Sequence, residues 1–275
     1  MSTETSSALA ELATLRALFV RAVRASFAYK PSLLLSMLSA GFAYLIPMLV
    51  WRHIYAAGQR QPRLISAAEL FPYLLLAGCL NFAFAMNVEA RIGQRIRLGL
   101  IATDLLRPVD FQLAQLAQAL SDGLFNLLLM LPIFGIALGV WGPSALPHDG
   151  AAFATFLLSV LLSFVILFAV SFIFVQASFI TYSGYGIFVM RNALQQTFSG
   201  LSAPLVLFPP GLRAVSEWLP FRHTIHTPVS IYLGWLNGSA AWRALGAQAL
   251  WAASLLALGR FLLGQSLRRF EIQGG

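Results

Sequence analysis

The residues from 152 to 181 form one long apolar run without a charged side chain. A helix needs only about 20 such residues to cross a bilayer core of about 30 Å, so this segment alone points the chain toward lipid. Five more runs read the same way, at about 32–51, 70–88, 113–140, 192–209 and 243–264. The chain of 275 residues is 59% hydrophobic and 10% charged, with a mean hydropathy of +0.77. Soluble domains carry about 25% charged residues, and a fold in water could not hide this much apolar surface. No polar half-chain exists that could form a soluble domain. The expected fold is all-α: one polytopic membrane domain over residues 1–275 with six transmembrane helices.

Charge patterning sets the expected topology. Of the cations, Arg16, Arg21, Arg24, Lys30, Arg91, Arg95, Arg97, Arg107, Arg191, Arg268 and Arg269 fall on one side of six spans. Arg52, Arg60, Arg63, Arg213, Arg222 and Arg243 fall on the other, with Arg260 left inside the last span. The positive-inside rule then puts both termini in the cytoplasm. The net charge of +8 is a topology signal here, not a nucleic-acid one. Residues 1–31 make no signal peptide, because Arg16, Arg21 and Arg24 break the first apolar run. Leu12, Leu15, Phe19, Val23 and Phe27 instead repeat at helical spacing, which predicts an interfacial helix. The lone Cys79 sits in an apolar run and can form no intrachain disulfide.

Between the second and third runs lies VEARIGQRIRLGLIATDLLRPVDF, the cytoplasmic segment 89–110 with its flanks. Ile92, Ile96 and Leu100 recur four apart, and Arg91 and Arg95 form a neighbouring cationic stripe. Gly93 and Gly99 predict close packing or a bend, and Pro108 a stop. A short amphipathic helix across the inner membrane face is expected. On the outer side, residues 210–242 are too apolar for a free loop, yet Pro210, Pro220 and Pro228 forbid a continuous span. Short half-helices dipping into the outer leaflet satisfy both facts.

The chain lacks the side chains for several chemistries. Its only lysine is Lys30, between Tyr29 and Pro31, so no G-x-x-x-x-G-K-[ST] phosphate loop can be built. His223 and His226 lack companion Cys or carboxylates, and His53 and His148 stand apart, so no metal site is expected. Asp104, Asp110 and Asp122 share no tight helix face, and no nucleophile elbow or H-E-x-x-H occurs. YSGYG, from Tyr182 to Gly186, reads as a turn before the fifth span. Two polar stripes inside the runs are more informative. Gln115, Gln118, Asp122 and Asn126 share one helix face, as do Asn192, Gln195, Ser199 and Ser202. Polar groups at membrane depth face protein or water, so both stripes are candidates for a pathway, a subunit interface or local helix packing.

The layout of six spans, an N-terminal interfacial helix, a basic helix between spans two and three and a broken outer segment resembles the ABC-2 type permeases. IRLGLIATDLLRPVDF is similar to a recurrent string in a bacterial exporter branch of that family, as are LPFRHTIHTPVSIYLG and the closing RRFEIQGG. The resemblance implies a coupling helix seated in a cytoplasmic ATPase. Arg91, Arg95, Ile96, Arg97, Gly99, Leu105, Leu106, Arg107 and Pro108 match its motif. It further implies two ABC ATPase subunits that hold ATP and Mg, and a second permease, identical or homologous. An address in the bacterial inner membrane and export of a hydrophobic or amphipathic substrate also follow from it. This chain would bind no cofactor of its own. A lipid-modifying membrane enzyme and a non-transporting scaffold are the competing classes.

Overall fold

The computed structural model describes residues 20, 46–56, 65–106, 109–141, 150–181 and 184–269. Among these residues, all regular structure is helical. Apart from Val20, the expected interfacial helix lies outside the described residues, as do most of the first run and the closing Gly-Gly. Residues 46–56 are helical, and Trp51 Nε1 donates to Ser202 O at 3.2 Å.

α1 (Ala67–Ala83) starts where Ser66 N and Oγ both donate to Glu69 Oε2, at 3.1 and 2.7 Å. The Glu69 carboxylate thus serves the Ser66 N–H, a donor at the helix start that would otherwise lack a partner. α2 (Val88–Arg97) follows after a break, then the single turn α3 (Ile101–Leu105). α4 (Phe111–Trp141) and α5 (Gly150–Val175) come next. A short turn α6 (Ser178–Thr181) precedes α7 (Gly184–Phe198). α8 (Pro210–Trp218) and α9 (His226–Tyr232) precede the long α10 (Gly238–Arg269). Among the described residues, the stretches Ala67–Arg97, Gly150–Val175 and Gly238–Arg268 are long and apolar enough to cross a membrane. α4, with 31 residues, matches them in length.

α5 is the axis of the core. Every residue from 166 to 172 is buried, so this half of the helix is covered on all sides. α10 lies along it, and α2, α7 and α9 pack against its other faces. A polar seam locks α10 to α5. Gln248 is fully buried, and its Nε2 donates to Ser163 Oγ and to His223 O, each at 2.9 Å. Ser159 Oγ donates to Gln248 Oε1 at 2.9 Å. Satisfied buried amides of this kind fix one register between apolar helices.

Two expectations change. The run 192–209 is not one helix. α7 begins earlier, at Gly184, and stops at Phe198. Gly200 then takes φ +81, and a 3-10 turn spans Leu205–Leu207. At about 1.5 Å per residue, the 15 residues of α7 reach only about 22 Å. The reason is local: Tyr73 OH donates to Gly200 O at 2.8 Å, and a Cβ on Gly200 would lie 2.7 Å from that hydroxyl. Leu100 also leaves its expected apolar stripe. α2 ends in a turn in which Leu100 N donates to Arg95 O and Gly99 N to Ile96 O. Gly99 sits at φ +69, the left-handed position that this helix-ending motif requires. Residues 210–242 form short helices and no continuous span: α8, a 3-10 turn at Pro220–His223, and α9.

Candidate functional site

Among the described residues, three ion pairs gather on the α2–α3 hairpin. Its buried face carries Val88, Glu89, Ile92, Gly93 and Ile96. Spacing places Glu89 in phase with Ile92 and Ile96, so an acid joins the apolar stripe and needs a partner. Arg191 of α7 supplies it: Arg191 Nε donates to Glu89 Oε1 at 2.7 Å, with side chains 3% and 0% exposed. Arg191 Nη1 also donates to Gln195 Oε1 at 2.7 Å, and Gln195 Nε2 to Asn81 Oδ1 of α1 at 3.4 Å. The guanidinium lies over the Phe188 ring at 5.4 Å. One buried network thus joins α1, α2 and α7.

Two more ion pairs hold the same helix. Arg91 Nη1 donates to Asp122 Oδ2 of α4 at 3.0 Å, and Arg91 Nη2 to Gln115 Oε1 at 3.3 Å. Arg95 binds Asp104 of α3 through Nε and Nη2, the latter to Oδ1 at 2.8 Å. Two of the arginines expected in the coupling motif, Arg91 and Arg95, are therefore bound to carboxylates of their own chain. Helix α7 comes close because Gly184 faces α2 without a side chain. A Cβ there would overlap the Glu89 carbonyl oxygen and stand 3.0 Å from Gly93 Cα.

The tip of the hairpin is different. Arg97 is exposed, Leu98 is 62% exposed, and Leu100 and Leu106 project outward as well. Leu105 packs against the core, and Arg107 and Pro108 lie outside the described residues. A family model described as "ABC-2 family transporter protein" matches residues 64–274. The chain belongs to the ABC-2 transporter family. Comparisons with curated proteins and with solved structures gave no match. An ABC-2 chain is the membrane component of a transporter, and the apolar helices make this one a membrane protein. In its hairpin, two ion pairs tie the root to α7 and α4, a third closes the hairpin on itself, and the tip carries outward leucines.

The polar stripes resolve differently in this ABC-2 chain. Gln115 and Asp122 face Arg91 of α2. Asn126 Nδ2 donates to Ala85 O at 3.0 Å, serving a carbonyl freed by the break between α1 and α2. Within one subunit these three act as helix packing. Gln118 is half-buried without joining that cluster. On α7, Gln195 belongs to the buried network and Asn192 is half-buried beside it. Ser199 is fully buried and Ser202 exposed, both beyond the helix end, so the four do not share one helix face.

Spacing alone does not pair Glu89 with Arg191 or Arg95 with Asp104. The usable signal is phase: Arg191 and Gln195 follow Ile187 at helical spacing, and all three are buried. The two histidines prove to be packing groups. Tyr73 OH lies 3.1 Å from His226 Nδ1, and Thr227 Oγ1 lies 3.2 Å from His223 Nδ1. At the other end of the hairpin's connection, Asp110 caps α4 through Leu113 N at 2.9 Å and pairs with Arg260 Nη2 at 2.7 Å. Arg260 therefore sits level with the start of α4.

Proposed function

We propose that this chain is the permease subunit of an ATP-driven ABC-2 exporter, with six spans and both termini in the cytoplasm of a bacterial inner membrane. The pairing of Arg260 with Asp110 supports this orientation, since it adds one more cation to the cytoplasmic side. Two copies of an ABC ATPase, carrying ATP and Mg, drive the chain, and a second permease, identical or homologous, completes the pathway. The cargo is hydrophobic or amphipathic. Residues 210–242 dip into the outer leaflet.

One observation carries the reading: the hairpin, closed on itself by Arg95 and Asp104, combines a root clamped to α7 and α4 with a tip that exposes Leu98, Leu100, Leu106 and Arg97. An exposed apolar ridge of this kind marks a surface suited to a partner protein. Displacing the tip would carry α2 with it. Through the buried pair at Glu89, α2 would carry α7 toward the Gly200 turn and the outer segment. The coupling residues are accordingly of two kinds. Arg97, Leu98, Leu100 and Leu106 meet the ATPase, while Arg91, Arg95, Ile96, Gly99 and Leu105 shape the hairpin.

The test is purification of the full chain in mild detergent with its membrane partners. An ATP-hydrolysing subunit co-purifies, and the double variant Leu98→Asp/Leu106→Asp loses it without losing the folded permease. Undiminished association would refute the tip as the contact. Lipid chemistry performed by the permease alone would favour the enzyme reading.

A further inference from the structure

A recess of about 170 Å³ opens at the break between α1 and α2. Its wall is made by Asn81 and residues 84–87 on one side, and by Phe188, Arg191, Asn192, Gln195 and Gln196 of α7 on the other. Its polar lining is almost entirely amide. Asn81 and Gln195 belong to the buried network, whereas Asn87, Asn192 and Gln196 stand at the mouth, exposed or half-buried. Phe84 and Met86 are buried beneath it, and Phe188 flanks it.

The charge at this site is already spent. Among the described residues, Arg191 is the only ionisable one in the lining, and Glu89 neutralises it at 2.7 Å. Its remaining contacts go to Gln195 and the Phe188 ring. Little attraction is left for a phosphate or carboxylate, and the described lining holds no carboxylate to attract an amine. Amides both donate and accept, so they match hydroxyls or another amide. The amides at the mouth leave donors and acceptors that a polar group can meet. The site lies beside the end of α1, next to the hairpin root, which the proposed topology places toward the cytoplasm.

We infer that this recess is a binding subsite for an uncharged hydrogen-bonding group, hydroxyls or an amide, on the polar end of an amphipathic molecule. The inference builds on the exporter reading and narrows its cargo to neutral-headed amphiphiles. The break at 84–87 and the network at Glu89 and Arg191 form its back wall, which places an occupant against the hairpin root.

The probe is a glucosyl diacylglycerol with a photoreactive group near the head, offered to the full-length permease in phosphatidylcholine nanodiscs without ATPase or ATP. The comparison probe is phosphatidate with the same chains. The glucosyl lipid should label residues 81–87 and 188–196 at least about tenfold more than phosphatidate, the weight of one or two hydrogen bonds. Asn192→Leu/Gln196→Leu should abolish that preference, with Asn87→Ala as a second, exposed-site variant. Competition by free methyl glucoside would identify a water-soluble source of the same chemistry, and lack of competition a lipid one. In both cases the subsite stands. Equal labelling by the two lipids, or labelling indifferent to all three substitutions in folded protein, would overturn it. Because no ATPase is present, failure here is separable from failure of the exporter reading, which rests on co-purification.

Discussion

Glu89 and Arg191 lie 102 positions apart, yet they form an ion pair at 2.7 Å with side chains 0% and 3% exposed. Removing one member leaves the other charged and buried, which typically costs about 3–5 kcal/mol. Glu89→Leu and Arg191→Leu should each lower stability by that order, read as thermal unfolding in detergent. The exchange Glu89→Arg/Arg191→Glu should recover part of the loss, because the charges still meet. Single variants as stable as the parent would show that the pair does not hold α2 to α7.

Gly184 makes a separate prediction about the same contact. Its missing Cβ is what lets α7 lie on the Glu89 backbone. Gly184→Ala should cost about 1–3 kcal/mol, the usual range for overpacking. Gly99 offers the contrast: nothing lies within 4 Å of the place a Cβ would take there, so Gly99→Ala should cost only the left-handed backbone penalty of about 1–2 kcal/mol. Equal unfolding temperatures for Gly184→Ala and the parent would contradict the close approach.

The difference between these glycines shows what can be read from a sequence. Gly99 announces a bend because glycine near a helix end is a local signal, and local signals survive in one dimension. The α4 stripe of Gln115, Asp122 and Asn126 is legible from its spacing for the same reason. Its partners are not, since Arg91 and Ala85 lie tens of residues away and only packing brings them close. The break at residues 84–87 carries no glycine or proline, and its one local sign is Asn87 at the N-cap of α2. Arg91 and Arg95 look like a free cationic face because wheel position shows phase and not which neighbours fill the other side.

Two histidines in residues 210–242 should make the chain sensitive to acid. Burial pushes His223 down to about 4, with the charge of Arg222 adding to it. Burial pushes His226 down to about 3, with Arg222, Arg213 and His223 adding to it. Tyr73 and Thr227 are the neutral groups that face the two rings. Both histidines are neutral in the fold and titrate near 6.5 when unfolded, so the unfolded chain binds more protons at mild acidity. The histidines' contribution to stability should be constant above about pH 6.5 and fall from there toward pH 4. The variant His223→Gln should flatten part of that fall in a pH series of melting temperatures. An unchanged profile would assign the acid sensitivity to other groups.

The most direct measurement concerns Leu106, which is 84% exposed at the tip of the hairpin. In a Cys79→Ala background, Leu106→Cys would be treated with a membrane-impermeant maleimide, in sealed vesicles of both orientations. The thiol should react only from the cytoplasmic face, and the bound ATPase should shield it. Reaction from the opposite face, or a rate indifferent to the ATPase, would contradict a permease driven through this hairpin.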